Sequence, residues 1–149
     1  LIPPIPLAMK DSGVYYSLTK EGENYRVTGE KQEWYHSIPL LFPTTLYPEE
    51  GASLYALSSV FAPTDLNTTI VHHWQYFDHE SRKWVSSTKI TFTIQGGRGE
   101  GYRTFSKKEN IFPGNWRVDV ETERGQIIGR LRFDVETGQA SRVLEEKIL

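Results

Sequence analysis

Asn115-Trp116-Arg117-Val118-Asp119-Val120-Glu121, a turn at Glu123-Arg124-Gly125, and Gln126-Ile127-Ile128-Gly129-Arg130-Leu131-Arg132-Phe133-Asp134-Val135-Glu136 decide the fold. Apolar and charged residues alternate through both runs, the period-two pattern of strands with one face in a core. Trp116, Val118 and Val120 therefore share a face with Gly129, Leu131, Phe133 and Val135 on the partner strand. Arg117, Asp119, Glu121, Arg130, Arg132 and Asp134 point to the other, solvated face. Residues 69–77 alternate in the same way, with Ile70, His72, Trp74 and Tyr76 on one side and Val71, His73, Gln75 and Phe77 on the other. The Trp74 side is read as the inner one, because a buried indole contributes more to a sandwich core than any residue opposite it.

Working outward, residues 53–61, 84–94 and 101–106 are also strand-like, and Pro63-Thr64-Asp65, Gly96-Gly97-Arg98-Gly99 and Phe112-Pro113-Gly114 supply turn chemistry between them. Short strands separated by such turns predict an antiparallel sandwich or barrel. The inventory agrees: Ala occurs 5 times in 149 residues, whereas Thr, Ile and Val together occur 32 times and aromatic residues 19 times. An all-helical bundle is excluded on that composition. Lys plus Arg is 17 against 19 Asp plus Glu, so no basic excess favours generic nucleic-acid binding. The absence of Cys removes disulfides, thiolate metal sites and a Cys nucleophile.

Residues 1–52 read as an extended and hairpin segment laid on the sandwich, 53–136 as the sandwich and 137–149 as a C-terminal tail. Three prolines in the first seven residues forbid a helix there. Residues 13–19 and 25–28 suit a hairpin closed by Lys20-Glu21-Gly22-Glu23-Asn24. Trp34, Tyr35, Ile38, Leu40, Leu41 and Phe42 are too apolar for a free linker and are expected to pack on the sandwich. Residues 140–149 have the spacing of a short helix or form a loose tail. The chain opens on Leu1, consistent with a processed piece whose signal or anchor lies upstream.

Val71-His72-His73-Trp74-Gln75-Tyr76-Phe77, Tyr102-Arg103-Thr104-Phe105-Ser106, Pro113-Gly114-Asn115-Trp116-Arg117-Val118-Asp119-Val120, Gly125-Gln126-Ile127-Ile128-Gly129 and Phe133-Asp134-Val135 together resemble domain-of-unknown-function family 2914 (DUF2914) over residues 53–136. The resemblance implies a compact β-rich domain without an assigned activity, commonly beside membrane-spanning segments of bacterial envelope proteins. It implies location more than chemistry.

The residue chemistry argues against an enzyme. His72 and His73 are adjacent and so face opposite sides of a strand, which prevents them from sharing a metal ion. No Gly-x-Ser-x-Gly elbow occurs, and the paired carboxylates Glu49-Glu50 and Glu145-Glu146 fall in turns or near a terminus. The Gly96–Gly101 run lacks the Lys-Ser/Thr of a phosphate loop. Asn67-Thr68-Thr69 is a glycosylation sequon with meaning only in a eukaryotic secretory context.

Two binding readings remain. Surplus aromatics could stack on sugar rings, or Arg117, Asp119, Arg130, Arg132, His73 and Gln75 could share an outer sheet surface that meets a protein. The expected fold is an all-β, immunoglobulin-like antiparallel β-sandwich with the extended N-terminal segment packed on it. The expected function is noncatalytic binding of an envelope carbohydrate or polymer, with contact to another envelope protein as the alternative and a hydrolase as the remote one. The parent would be periplasmic or otherwise extracytoplasmic, tethered to the inner membrane through upstream segments. No cofactor, metal or nucleic acid is expected. The contact set is His73, Tyr76, Trp84, Tyr102 and Arg103, chosen for flat rings and one planar cation beside a Gly-rich loop.

Overall fold

Three sheets are stacked so that one strand, Leu54–Phe61, is buried on both of its faces. The structure is a computed structural model that describes residues 7–31, 44–62, 67–95, 101–138 and 144–149. Within these residues the strands are β1 (Ala8–Tyr15), β2 (Ser17–Glu21), β3 (Asn24–Glu30), β4 (Thr44–Leu46), β5 (Leu54–Phe61), β6 (Asn67–Asp78), β7 (Lys83–Gln95), β8 (Tyr102–Lys108), β9 (Gly114–Thr122), β10 (Ile127–Val135) and β11 (Leu144–Ile148). Their sheets have the orders β1-β5-β8, β4-β10-β9-β6-β7 and β11-β3-β2. Among the described residues no helix is long and apolar enough to cross a membrane.

The five-stranded sheet carries the pattern that decided the fold. β9 and β10 pair with Trp116 opposite Phe133 and Val118 opposite Leu131, while β6 and β9 pair with Trp74 opposite Val118 and Tyr76 opposite Trp116. Alternation then places Trp74, Trp116, Val118, Phe133 and Val135 on one face, where they close over Leu54 and Ala56 of β5. Toward the other end of the same interface Ile70, Ile94 and Val120 meet Val60. Trp74 and Trp116 are both fully buried, as expected, and Arg117 and Arg132 lie on the opposite face. Two sheets packed on a shared apolar layer make the all-β sandwich.

The described part of the first fifty residues does more than cover it. β1 pairs antiparallel with β5, and β4 pairs in parallel with β10, so both are strands of the sandwich itself. β2 and β3 form the expected hairpin, whose Leu18, Tyr25 and Val27 pack on Leu57 from the far side of β5. The C-terminal stretch read as helix or tail is instead β11, antiparallel to β3, with Leu144 opposite Glu30 and Ile148 opposite Arg26. Pairing with an existing edge satisfies its backbone donors and overrides the weak helical spacing of a segment too short to be helical alone. The apolar run Trp34–Phe42 lies outside the described residues.

Candidate functional site

Both faces of β6 carry polar chemistry, and the two sides are built differently. On the inner face, the His72 side chain is wholly buried between the sheets. Its Nε2 lies 2.8 Å from Ser58 Oγ and its Nδ1 2.8 Å from Ser106 Oγ, while Trp74 Nε1 donates to the same Ser106 Oγ at 2.9 Å. Thr104 Oγ1 completes the cluster, 3.1 Å from Ser58 Oγ. Because Ser106 accepts from the indole, its hydroxyl proton is free to go to Nδ1, and Nε2–H then donates to Ser58. Both nitrogens of a neutral imidazole are thereby satisfied. No carboxylate is among its hydrogen-bond partners, and burial pushes the imidazole down to about 4 from the ordinary 6.5. A serine hydroxyl beside an imidazole invites a nucleophile reading, but Ser58 and His72 are each 0% exposed, so the pair is a structural strut.

The outer face carries a second network, here half open to solvent. The cross-strand register sets Gln75 opposite Arg117 and His73 opposite Asp119 on β6 and β9, and Arg130 opposite Asp119 and Arg132 opposite Arg117 on β9 and β10. Arg130 grips Asp119 with two bonds, Nε to Oδ1 at 2.6 Å and Nη2 to Oδ2 at 3.0 Å. Gln75 Nε2 donates to Asp119 Oδ2 at 2.9 Å, and Arg117 Nε and Nη2 donate to Gln75 Oε1 at 3.0 and 2.8 Å. The Arg117 guanidinium lies over the Trp84 ring, 4.2 Å from its centroid, and Trp84 in turn meets Phe77 edge-on at 5.4 Å. Beside this row His73 Nδ1 is 2.8 Å from Glu121 Oε2 and its Nε2 is 2.8 Å from Ser86 Oγ.

Electrostatics separate the three arginines. Burial alone would raise the Asp119 carboxyl, but hydrogen bonds from Arg130 and Gln75 and the nearby guanidiniums outweigh it and hold the group below its usual range. Arg130 is correspondingly raised by its bond to Asp119. Arg117 is pulled down by burial first and then by the positive charges of Arg130 and Arg132. Arg132 is exposed and makes no ion pair among the described residues.

The five residues expected to form a contact set do not converge. His73 and Trp84 lie on this outer face. Tyr76 is on the opposite side, against Trp116 and Phe112 at 5.6 and 4.9 Å between ring centroids. Tyr102 packs on the Val60, Ile70, Ile94 and Val120 cluster. Arg103 sits over the Tyr25 ring at 5.7 Å, facing the third sheet. Strand alternation separates His73 from Tyr76 in the sequence itself, and a shared chemistry of flat rings and a planar cation does not bring the five to one surface. Alternation places Asp119, Glu121 and Gln75 on the outer face, yet all three are buried: alternation reports which side a residue takes but not what its neighbours' long side chains cover.

Elsewhere, a cleft of about 600 Å³ opens beside Tyr47, Pro48, Ile111 and Val135, rimmed by Glu49 and Glu136. Among the described residues no three His, Asp or Glu side chains gather as a metal-ligand set.

No curated protein matches the chain. Among solved structures it is similar to an immunoglobulin-like protein from Pseudomonas aeruginosa, with 12% identity, 87% of this chain and 96% of that chain covered, and a TM-score of 0.45. The sheet pairing described above makes the all-β sandwich expected from the sequence. Residues 67–135, from the start of β6 to the end of β10, match the family described as protein of unknown function (DUF2914). That span holds the Trp74 and Trp116 core face and the whole Gln75, Arg117, Asp119 and Arg130 network, and it is over these residues that the chain is similar to DUF2914.

Proposed function

We propose that this chain is a noncatalytic binding module that meets another protein through the outer face of its five-stranded sheet, around Trp84, Arg117 and Arg132. The supporting observation is the guanidinium of Arg117 held over Trp84 at 4.2 Å and fixed from below by Gln75. Trp and Arg with restricted motion are the residues that anchor protein interfaces, because little side-chain entropy remains to be lost on contact. Sugar stacking needs exposed parallel rings, whereas Phe77 and Trp84 stand at 62° to one another and one face of the indole is already occupied. Noncatalytic action is favoured because the hydroxyl and imidazole contacts of Ser58 and His72 are sealed in the core.

The DUF2914 resemblance adds the proposal that the parent protein is anchored in the inner membrane and displays this domain outside the cytoplasm. Site-specific photo-crosslinking tests the contact face. A benzophenone at Lys89, exposed on the outer face opposite His73, should trap a partner in envelope extracts, and one at Thr19, exposed on the third sheet, should not. Equal adducts at both positions, or none at Lys89 together with a positive glycan array, would replace this reading with nonspecific or carbohydrate binding.

A further inference from the structure

Like charges directly opposite one another on a sheet destabilise it unless something compensates. Arg132 and Arg117 are such a pair on β10 and β9, and Arg130 adds a third guanidinium on the same face. The compensation within the chain is incomplete. Asp119 is committed to Arg130 through both oxygens, and Arg117 Nε approaches its Oδ2 no closer than 3.8 Å. Asp134, next but one to Arg132 on the same strand, accepts from Asn115 Nδ2 at 2.7 Å and makes no ion pair with Arg132. Glu121 is hydrogen-bonded to His73 and acts on Arg117 and Arg130 only through space. Arg117 uses Nε and Nη2 on Gln75, which leaves its Nη1 edge and the whole Arg132 fork without an acceptor among the described residues.

We infer that the Arg117–Arg132 pair is a carboxylate-binding site for an acidic segment of the partner protein. Directly opposed residues on paired strands are about 5 Å apart at their Cα atoms, close enough for one carboxylate to accept from both forks. The network beneath sets the geometry in advance, since Arg117 is held by Gln75 and by Trp84 while Arg132 stays free to close from the side. A second carboxylate two residues along an extended segment would fall about 7 Å away, the repeat of alternate side chains on a strand, within reach of exposed Lys89 or the outer edge of Arg130. Charge complementarity of this kind sets partner choice and encounter rate.

The inference rests on the outer-face reading, and the experiment separates the two. The full chain is titrated at low salt, about 50 mM so that screening is limited, with an extended fluorescent peptide of alternating Glu and Thr. Saturable binding is expected, weakened about tenfold in Arg132→Glu and about threefold in Arg132→Lys, which keeps the charge but loses the planar fork. Arg124→Glu, the same charge change at the exposed β9–β10 turn, should leave affinity within about twofold. Thermal unfolding of Arg132→Lys should match wild type, since Arg132 has no partner to lose, and Arg132→Glu should be at least as stable as wild type, since it relieves the opposition to Arg117. Absence of saturable binding, an equal loss in Arg124→Glu, or full displacement by inorganic phosphate would overturn the carboxylate site. Self-association abolished by Arg132→Glu would make the occupant a second copy and overturn it too. Crosslinking at Lys89 that persists in Arg132→Glu removes this inference and leaves the outer-face reading standing.

Discussion

Acidification from pH 7.5 to 4.5 should destabilise the fold through His72 in particular. In the unfolded chain the imidazole takes up a proton near 6.5, whereas in the folded chain burial holds it neutral down to about 4. Between those values the unfolded state binds more protons, so stability is full above pH 6.5 and is lost as the pH falls toward 4. Each pKa unit is worth a little over 1 kcal/mol, so His72 contributes roughly 3 kcal/mol in all, of which about 2–3 is lost by pH 4.5. That is a large share of the 5–15 kcal/mol typical of a domain. Urea unfolding at the two pH values should be measured on wild type and on His72→Gln, whose amide still offers a donor and an acceptor to Ser58 and Ser106. The variant should be less stable at pH 7.5 by about 1–3 kcal/mol and should lack the His72 share of the acid loss. If wild type and variant lose the same stability between the two pH values, the imidazole titrates normally when folded. The sealed core cluster would then be wrong.

Three further outcomes are expected. Trp74→Ala should cost about 3–5 kcal/mol in denaturant unfolding, since it empties a fully buried indole site and leaves Ser106 without its donor; a cost under about 1 kcal/mol would contradict the core assignment. Asp119→Asn should cost about 3 kcal/mol, because it strips a buried carboxylate from Arg130 and Arg117, and Arg130→Gln combined with it should recover part of that loss in a double-mutant cycle. Gly101→Ala should cost about 1–3 kcal/mol in thermal unfolding: its φ is +84°, and an added Cβ would lie 2.5 Å from Ser59 Oγ and 3.3 Å from the Val60 carbonyl oxygen, so an unchanged midpoint would refute the close approach.

The part of the fold legible in the sequence is the part governed by alternation. Trp116, Val118 and Val120 against Leu131, Phe133 and Val135 announce their facing because one side is apolar and the other charged. β5 gives no such signal, since Tyr55, Leu57 and Ser59 face the third sheet while Ala56, Ser58 and Val60 face the first core, and a strand buried twice has no polar side to read. β11 was illegible for a different reason. Its Leu-Glu-Glu-Lys-Ile is a poor strand sequence locally and becomes one by pairing with β3, more than a hundred residues away. At the candidate site the grouping of Arg117, Asp119, Arg130, His73 and Gln75 followed from strand facing, whereas Trp84 stacking on Arg117 depends on the β6–β7 register, including the extra residue at Ser87 between the pairs Trp74–Thr88 and Gln75–Ser86.

The claim that the outer face is assembled before any partner arrives is tested most directly by the Nε–H resonances of the arginines in the free chain, recorded by ¹⁵N-resolved NMR at neutral pH. Arg117 and Arg130 should give separate, slowly exchanging signals, because their Nε–H groups are bonded to Gln75 and Asp119, and the Arg117 signal should be displaced by the Trp84 ring current and lose that displacement in Trp84→Leu. Arg132, without a partner, should exchange rapidly with water. Averaged signals for all three, or an Arg117 resonance indifferent to Trp84, would contradict a preformed binding face.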